Sequence, residues 1–495
     1  MLDQLFLRAL CVSAFQDCPR RPRADQRLRQ DRGPGESTRS PPASHAEAEE
    51  ARPQEEGRWE MNSTSKPING WRRYKIGDVF TLTPGFAFKS GDFIESGTPV
   101  LKIKNVKAGE VVYDDLSYVD NSFVQSRGNF LVRYGDILIT LSGNRFDGSK
   151  ETWVGKVAQF RREGNYLLNQ RLGILRPKDS GAADMRCCAY LMSMDEYQQL
   201  FISIATSSGG QANLSSSQVL SAEISLPPLR EQQAIACILG ALDDKIELNR
   251  RRNRTLEAMA RAIFQSWFVD FDPVKKKCEV RRVKGEIDDS AFPSHFKLFP
   301  SNFEDSPLGP IPAGWRVGTA KDVCEFAYGK ALKADQRKPG MVPVMGSNGQ
   351  VGVHSEPLVK GPGIVVGRKG NPGIITWVNT DFFPIDTTFY VVPTSSEIPL
   401  TFLVHALDSL KLASLAADSA VPGLNRNIAY GTQLCIPTQA PLLAFTKHTS
   451  AIRDRLQAGE NESRALATLR DTLLPKLISG ELRVPDAERI VGRAV

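Results

Sequence analysis

The feature that most constrains this chain is that it contains one large unit twice. The stretch Gly70-Trp71-Arg72-Arg73-Tyr74-Lys75-Ile76-Gly77-Asp78-Val79 returns as Gly314-Trp315-Arg316-Val317-Gly318-Thr319-Ala320-Lys321-Asp322-Val323, and the two tryptophans stand 244 positions apart. Two copies imply pseudo-symmetry, and 495 residues suffice for two or three domains that each bury a core. Within each copy, short apolar runs bounded by Gly, Pro and Asn read as strands. They are 99–103, 136–141 and 172–175 in the first copy, and 363–366, 374–378 and 388–392 in the second. The expected fold class is mixed α/β (α+β).

Each copy closes on an apolar strand ending in proline, Ile224-Ser225-Leu226-Pro227-Pro228 and Leu434-Cys435-Ile436-Pro437, ahead of a long helical pattern. In the first helix Ile235, Leu239, Leu242, Ile246, Asn249, Asn253, Leu256, Ala260, Ile263 and Trp267 recur at three-four spacing, which is a coiled-coil seam. A shift of 210 positions gives the second seam: Phe445, Thr449, Ile452, Leu456, Gly459, Ser463, Leu466, Arg470, Leu473 and Leu477. Both seams turn polar or small in the middle, as expected where polar core positions fix register. The simplest partner for each helix is the other; the alternative is that each packs on its own domain.

Composition narrows the function. A net charge of +7 with a pI near 8.9 suits a polyanionic partner without requiring one. The eight cysteines are scattered, with no CxxC spacing even at Cys187-Cys188, which fits a reducing cytoplasm. The five histidines are far apart, so local spacing builds no metal site. No apolar stretch reaches the twenty or so residues of a membrane span. Residues 1–60 mix Arg, Pro, Glu and Ser without lysine, a composition that builds no core. The expectation is a disordered or mis-called extension over 1–66, with Met61 as the true start. No methyltransferase Asn/Asp-Pro-Pro-aromatic loop, phosphate-binding GxxxxGK[ST] loop or nuclease carboxylate-lysine cluster is present. The glycine run Gly361–Gly367 reads as a strand with flanking turns.

The run Ile224-Ser225-Leu226-Pro227-Pro228-Leu229-Arg230-Glu231-Gln232-Gln233-Ala234-Ile235, followed by a long helix, resembles the junction of type I restriction-modification specificity subunits. The opening Trp-x-x-Tyr/x-x-Ile-Gly-Asp-Val pattern, the Gly135-Asp136-Ile137-Leu138 strand, the Gln211-Ala212-Asn213-Leu214 approach and the two-copy layout support it over roughly 70–482. The resemblance implies two tandem target recognition domains, 67–228 and 313–438. Two long antiparallel coiled-coil helices, 229–271 and 439–480, would separate them, with a linker over 272–312 and a tail over 481–495. Each domain would read half of a bipartite site in double-stranded DNA, and the helices would set the spacing. A helix of about forty residues is roughly 60 Å long, against about 34 Å per DNA turn. Two methyltransferase subunits and the restriction-translocase subunits would be partners, carrying the S-adenosylmethionine, ATP and Mg; this chain would bind no cofactor and catalyse nothing. The second copy departs from the pattern, with Gln439-Ala440-Pro441-Leu442 in place of Leu229-Arg230-Glu231-Gln232.

Reading bases requires forked donors and acceptors on exposed loops. In the first domain the candidates are Ser142, Asn144, Arg145 and Lys150, with Lys102, Lys104, Asn105 and Lys107 nearby in sequence. In the second they are Arg368, Lys369 and Asn371. A further polar group precedes each final strand: Gln211 and Asn213, then Asn425, Arg426 and Asn427. Arg145 and Arg368 are expected to recognise one half-site each. Glu231 and Gln232, with Ile235, Leu239, Leu242, Ile246, Leu256, Ile263, Ile452, Leu456, Leu466 and Leu473, are the expected docking and seam positions. Competing readings are a non-catalytic assembly scaffold, an enzyme with unrecognised motifs, and an orphan specificity protein.

Overall fold

The computed structural model describes residues 70–145, 152–178, 181, 183–208, 211–284, 292–416 and 423–494. The expected N-terminal extension and Met61 lie outside them. The chain divides into two compact units, residues 1–245 with 466–495, and residues 246–465. The division falls within two long helices, the central Leu229–Phe264 and the C-terminal Gln439–Ile478, so each unit holds a segment of both.

In the first unit Ile137–Thr140 lies between Val157–Gln159 and Leu172–Pro177, and Phe80–Pro84 adds a fourth strand, all antiparallel. All four residues of Ile137–Thr140 are buried. Ile137 and Ile139 face a core with Phe80 and Phe201, while Leu138 faces a second core with Phe160 and Leu168. A strand covered on both faces reads as an unbroken apolar run, which is how the sequence presents it. Helices Met185–Met192 and Asp195–Ile204 supply cover on the first face. Cys187 and Cys188 fill core space there, and burial pushes the Cys188 thiol up to about 12. A second sheet runs Phe93–Ile94, Ser117–Val119, Thr98–Leu101, Tyr166–Leu168, Leu131–Val132.

The second unit repeats the four-stranded sheet strand for strand: Cys324–Tyr328, Thr388–Pro393, Gly363–Gly367, Ile375–Val378. In both units the opening motif pairs with the strand before the proline, Arg72–Lys75 with Glu223–Leu226 and Arg316–Thr319 with Gln433–Ile436. In each unit the opening-motif strand and the strand before the proline therefore meet where a long helix begins.

Charge holds the helix segments of the first unit. Asp243, its side chain 10% exposed, accepts from Arg161 Nη1 at 2.9 Å, from Arg470 Nη1 at 2.7 Å and from the Tyr190 hydroxyl. Its neighbour Asp244 accepts from Arg161 Nη2 at 2.9 Å and Arg186 Nη2 at 2.8 Å. Ile235, Leu239, Leu242, Leu466 and Leu473 are buried beside this network in sequence. In the second unit the polar middle of the seam is itself a contact: Asn249 Nδ2 donates to Glu462 Oε2 at 2.8 Å and Asn253 Nδ2 to the Leu456 carbonyl at 3.2 Å. One number rises as the other falls, so these segments run antiparallel. A Cβ on Gly459 would stand 2.7 Å from Asn253 Oδ1, which explains a glycine inside a helix. Ile246 is buried, whereas Leu256, Ile263, Ile452 and Leu456 are only half-buried.

Three boundaries differ from the sequence reading. The expected linker holds a helix, Asp272–Lys284, in which Lys277 is buried and donates Nζ to the Phe299 carbonyl at 3.0 Å. The central helix ends in a π turn, Gln265–Val269, because Trp267 and Phe268 turn into an aromatic core with Trp315, Phe402 and Phe445. The expected tail is a helix, Val484–Ala494, with Ala487 and Val491 buried.

Candidate nucleic-acid interface

The polar loops singled out separately in the sequence come together in pairs, by one device in both units. In the first, Ser142–Gly143 pairs antiparallel with Ala212–Asn213, and the Leu214 amide donates to the Leu141 carbonyl at 2.8 Å. In the second, Lys369 bridges Gly423 and the Leu424 amide donates to the Arg368 carbonyl at 2.8 Å. Each pairing follows directly from a buried central strand, so a rigid sheet presents the loops.

In the first unit much of the candidate set is taken up internally. Ser142 Oγ donates to Asn213 Oδ1 at 2.8 Å, and Asn144 Nδ2 to Thr152 Oγ1 at 3.0 Å. Gln211 is half-buried, and Lys150 lies outside the described residues. Arg145 Nη2 donates to the carbonyls of Ile202 at 3.3 Å and Ala205 at 3.2 Å, at the C-terminal end of helix Asp195–Ile204. A cation at that end satisfies carbonyls that the helix leaves open, which makes Arg145 a helix cap.

The Lys102–Lys107 segment is a separate turn. Asn105, 1% exposed, donates Nδ2 to the carbonyls of Val112 and Asp114, both at 3.2 Å, so it closes the turn and has no face for a base. Lys104 pairs with Asp115, whose carboxyl this hydrogen bond and charge hold below the usual range. Lys102 Nζ lies 3.7 Å from the Phe93 ring centre; burial, then Lys104, lowers its pKa. Lys107 sits in a hairpin with Glu110.

The second unit gathers a more open group. Arg368 and Arg426 place their guanidinium carbons 5.0 Å and 4.8 Å from the centre of the Tyr328 ring, and Tyr328 is 48% exposed. Arg368 Nη1 also donates to the Asp386 carbonyl at 3.0 Å, while Arg426 makes no hydrogen bond or ion pair among the described residues. Asn425 is occupied as the cap of helix Arg426–Tyr430, accepting from the Asn427 and Ile428 amides. Lys369, Asn371 and Asn427 are exposed. Two guanidiniums held on one ring, with exposed amides and an ammonium beside them, are the donor set that guanine edges and phosphates accept from. Tyr328 was not singled out in the sequence: it ends a strand, where an aromatic reads as core, and the first copy has Pro84 at the matching position.

At the expected docking position, Glu231 is half-buried and desolvation raises its carboxyl. Gln232 is held by backbone partners on both sides of its amide. It is 2% exposed, accepts from the Asp184 amide at 2.9 Å and donates to the Pro227 carbonyl at 2.8 Å.

Among the described residues no cluster of His, Cys, Asp and Glu is arranged to hold a metal, and no helix is long and apolar enough to cross a membrane. Residues 68–258 match the family model described as the type I restriction modification DNA specificity domain. The chain is 23% identical over 487 residues to the type I restriction enzyme HindI specificity subunit of Haemophilus influenzae, covering 84% of this chain and 100% of that one. It is 24% identical over 473 residues to the MjaIX specificity subunit of Methanocaldococcus jannaschii, covering 87% and 98%. Among solved structures, the S subunit of a type I restriction-modification system from M. genitalium aligns with a TM-score of 0.48 at 19% identity, covering 83% and 97%.

Proposed function

We infer that this chain is a type I restriction-modification specificity subunit, a non-catalytic protein that recognises DNA on behalf of a larger complex. The family match over 68–258 and relatives matched along nearly their whole length support that identity. The observation that carries the reading mode is the repeated pairing of two polar loops at the edge of a buried sheet, once per unit. Each unit is then a target recognition domain for one half of an interrupted site, and the two long helices set the spacing between halves. The donor set on Tyr328 suits direct readout in the major groove, with Arg368 or Arg426 forking onto a guanine. In the first unit Gln211 is the candidate reader left on these loops, since Ser142, Asn144 and Arg145 each hydrogen-bond within the protein. Two methyltransferase subunits and the restriction-translocase subunits supply S-adenosylmethionine, ATP and Mg chemistry from outside this chain.

Adenine methylation mapped genome-wide, in a host carrying the gene with its methyltransferase partner and in the same host without it, tests this reading. Loss of one bipartite motif when the gene is absent is the expected result. Identical methylation in both hosts removes the specificity role and leaves an assembly scaffold.

A further inference from the structure

Each copy sends one loop off its sheet in the same way. Strand Phe80–Pro84 gives way to Gly85 and Phe86, whose amides donate to the carbonyls of Leu172 at 2.9 Å and Leu168 at 2.8 Å. In the second copy the Gly329 and Lys330 amides donate to the carbonyls of Thr388 at 3.1 Å and Pro384 at 3.0 Å. A Cβ would stand 2.2 Å from the Asn169 oxygen at Gly85 and 2.1 Å from the Ile385 oxygen at Gly329, so a glycine turns this corner in both. Leu172 also pairs with Thr140, which puts the corner at the sheet end from which Ser142 leaves. In the second unit that end carries the guanidiniums of Arg368 and Arg426 on Tyr328.

Beyond the corner the copies part. The offset of 244 still relates Pro99 to Pro343 but has fallen to 227 at Leu141 and Arg368, so the first copy holds seventeen more residues in between. That stretch includes helix Ser122–Ser126 and the 3₁₀ turn Gly128–Phe130, whereas no helix lies between Met345 and Gly363. Two phenylalanines pin it to the corner: Phe130 lies 5.4 Å from Phe86 and Phe123 lies 5.6 Å from Phe88, ring centre to ring centre. Between them Arg127 sets its guanidinium carbon 4.7 Å from the centre of the Phe86 ring. Arg127 makes no ion pair among the described residues; its Nη1 donates to the Ser126 carbonyl at 3.2 Å, and its Nε is buried without a partner. Gln125 and Asn129 on either side are exposed, which leaves the segment open to a duplex. The carboxylates of the two adjoining turns, Asp92 and Asp120, accept from the Lys89 amide at 2.7 Å and the Ser122 amide at 2.9 Å.

We propose that Arg127 reads a guanine in the half-site of the first unit. A guanidinium laid on a ring holds its forked donors in a fixed plane, and the O6 and N7 acceptors of guanine match that fork. Ser142, Asn144 and Arg145 are satisfied within the protein, so donors for this unit must come from elsewhere at the same sheet end. Phe86 lies two residues beyond Pro84, the match of Tyr328, and the longer first copy supplies the arginine that covers it. Phe123 and Phe130 also close a small apolar core with Val100, Val119 and Leu167. That core accounts for the anchoring of the segment but not for an arginine laid on Phe86.

Because this role rests on the specificity reading, the assay reports on the two separately. The full chain, assembled with its methyltransferase subunits, binds the bipartite duplex defined by methylation mapping, in competition with duplexes in which each base pair of each half-site is changed in turn. Arg127→Ala should lower discrimination about 5- to 150-fold at one G·C pair of one half-site. Selectivity at the other half-site should persist, which shows that the variant is folded and assembled. Arg127→Lys should be relaxed at the same pair, because an ammonium keeps the charge and loses the fork. A uniform loss of affinity over all duplexes, with the salt slope reduced by about 1, assigns Arg127 to a phosphate and overturns the proposal. Full selectivity in Arg127→Lys overturns it too, as does relaxation of the half-site that Arg426→Ala relaxes. An unaltered complex that prefers no bipartite site refutes the specificity reading and this role with it. Arg127 variants without effect in a complex that does prefer one refute this role alone.

Discussion

Asp243→Ala is the perturbation whose outcome the structure fixes most tightly. The carboxylate is 10% exposed and accepts from two guanidiniums, Arg161 at 2.9 Å and Arg470 at 2.7 Å, and from Tyr190. A hydrogen bond to a charged group contributes about 1.5–3 kcal/mol, but three in one network do not add. Removing one partner of a buried ion pair destabilises by about 3–5 kcal/mol because the other charge stays buried. Here Arg161 and Arg470 are 24% and 25% exposed, so water recovers part of that loss. The expected destabilisation is about 2–4 kcal/mol. Native-state hydrogen exchange of the helix segment 229–245 measures it within the unit concerned, without assuming that the whole chain unfolds in one step. The double change Asp243→Ala with Arg470→Ala should lose less than the sum of the single changes, since the second removes a charge the first leaves stranded. Strict additivity, or a loss below about 0.5 kcal/mol for Asp243→Ala, would refute the view that charge locks this unit's helices.

Arg145→Ala should destabilise the first unit by about 1–2 kcal/mol through its lost cap, with the methylated motif unchanged; a relaxed half-site would return Arg145 to the interface. Arg426→Ala and Arg368→Ala should instead relax the same half-site, each by about 1–3 kcal/mol in a competition binding assay, and effects on different half-sites would sink the shared-surface reading. Gln232→Leu should lower stability by about 1–3 kcal/mol, because it leaves the Asp184 amide without its acceptor; an unchanged denaturation midpoint counts against this. The His405 pKa is depressed in the folded chain, so its stabilising effect is present above about pH 6.5 and is lost as pH falls toward 4. Over that window the second unit should lose up to about 3 kcal/mol, followed by hydrogen exchange, and His405→Gln should flatten the loss.

Much of the architecture was legible because it rests on periodicity. The strands around Ile137–Thr140 and Gly363–Gly367 are buried on both faces and so stand out as apolar runs, and the two long helices carry a seam that a fixed shift superposes. Locally satisfied groups were less visible. Asn105, Arg145 and Gln232 look like exposed polar side chains in the sequence, yet each is turned inward to backbone partners that lie 5 to 60 positions away. Arg145 and Arg368 do not occupy matching positions of the two copies. The offset between the copies is not constant: it falls from 244 at the opening tryptophans to 210 at the helices, and the matched hydrogen bonds put Arg368 opposite Leu141, an offset of 227. Where the second copy has Arg368, the first therefore has a buried leucine, Leu141. The same bookkeeping exposes Arg453 as the replacement for Asp243. Position-by-position likeness between the copies therefore reports shared scaffold, and it stops where charge or exposure inverts between them, as at Leu141 against Arg368 and Asp243 against Arg453.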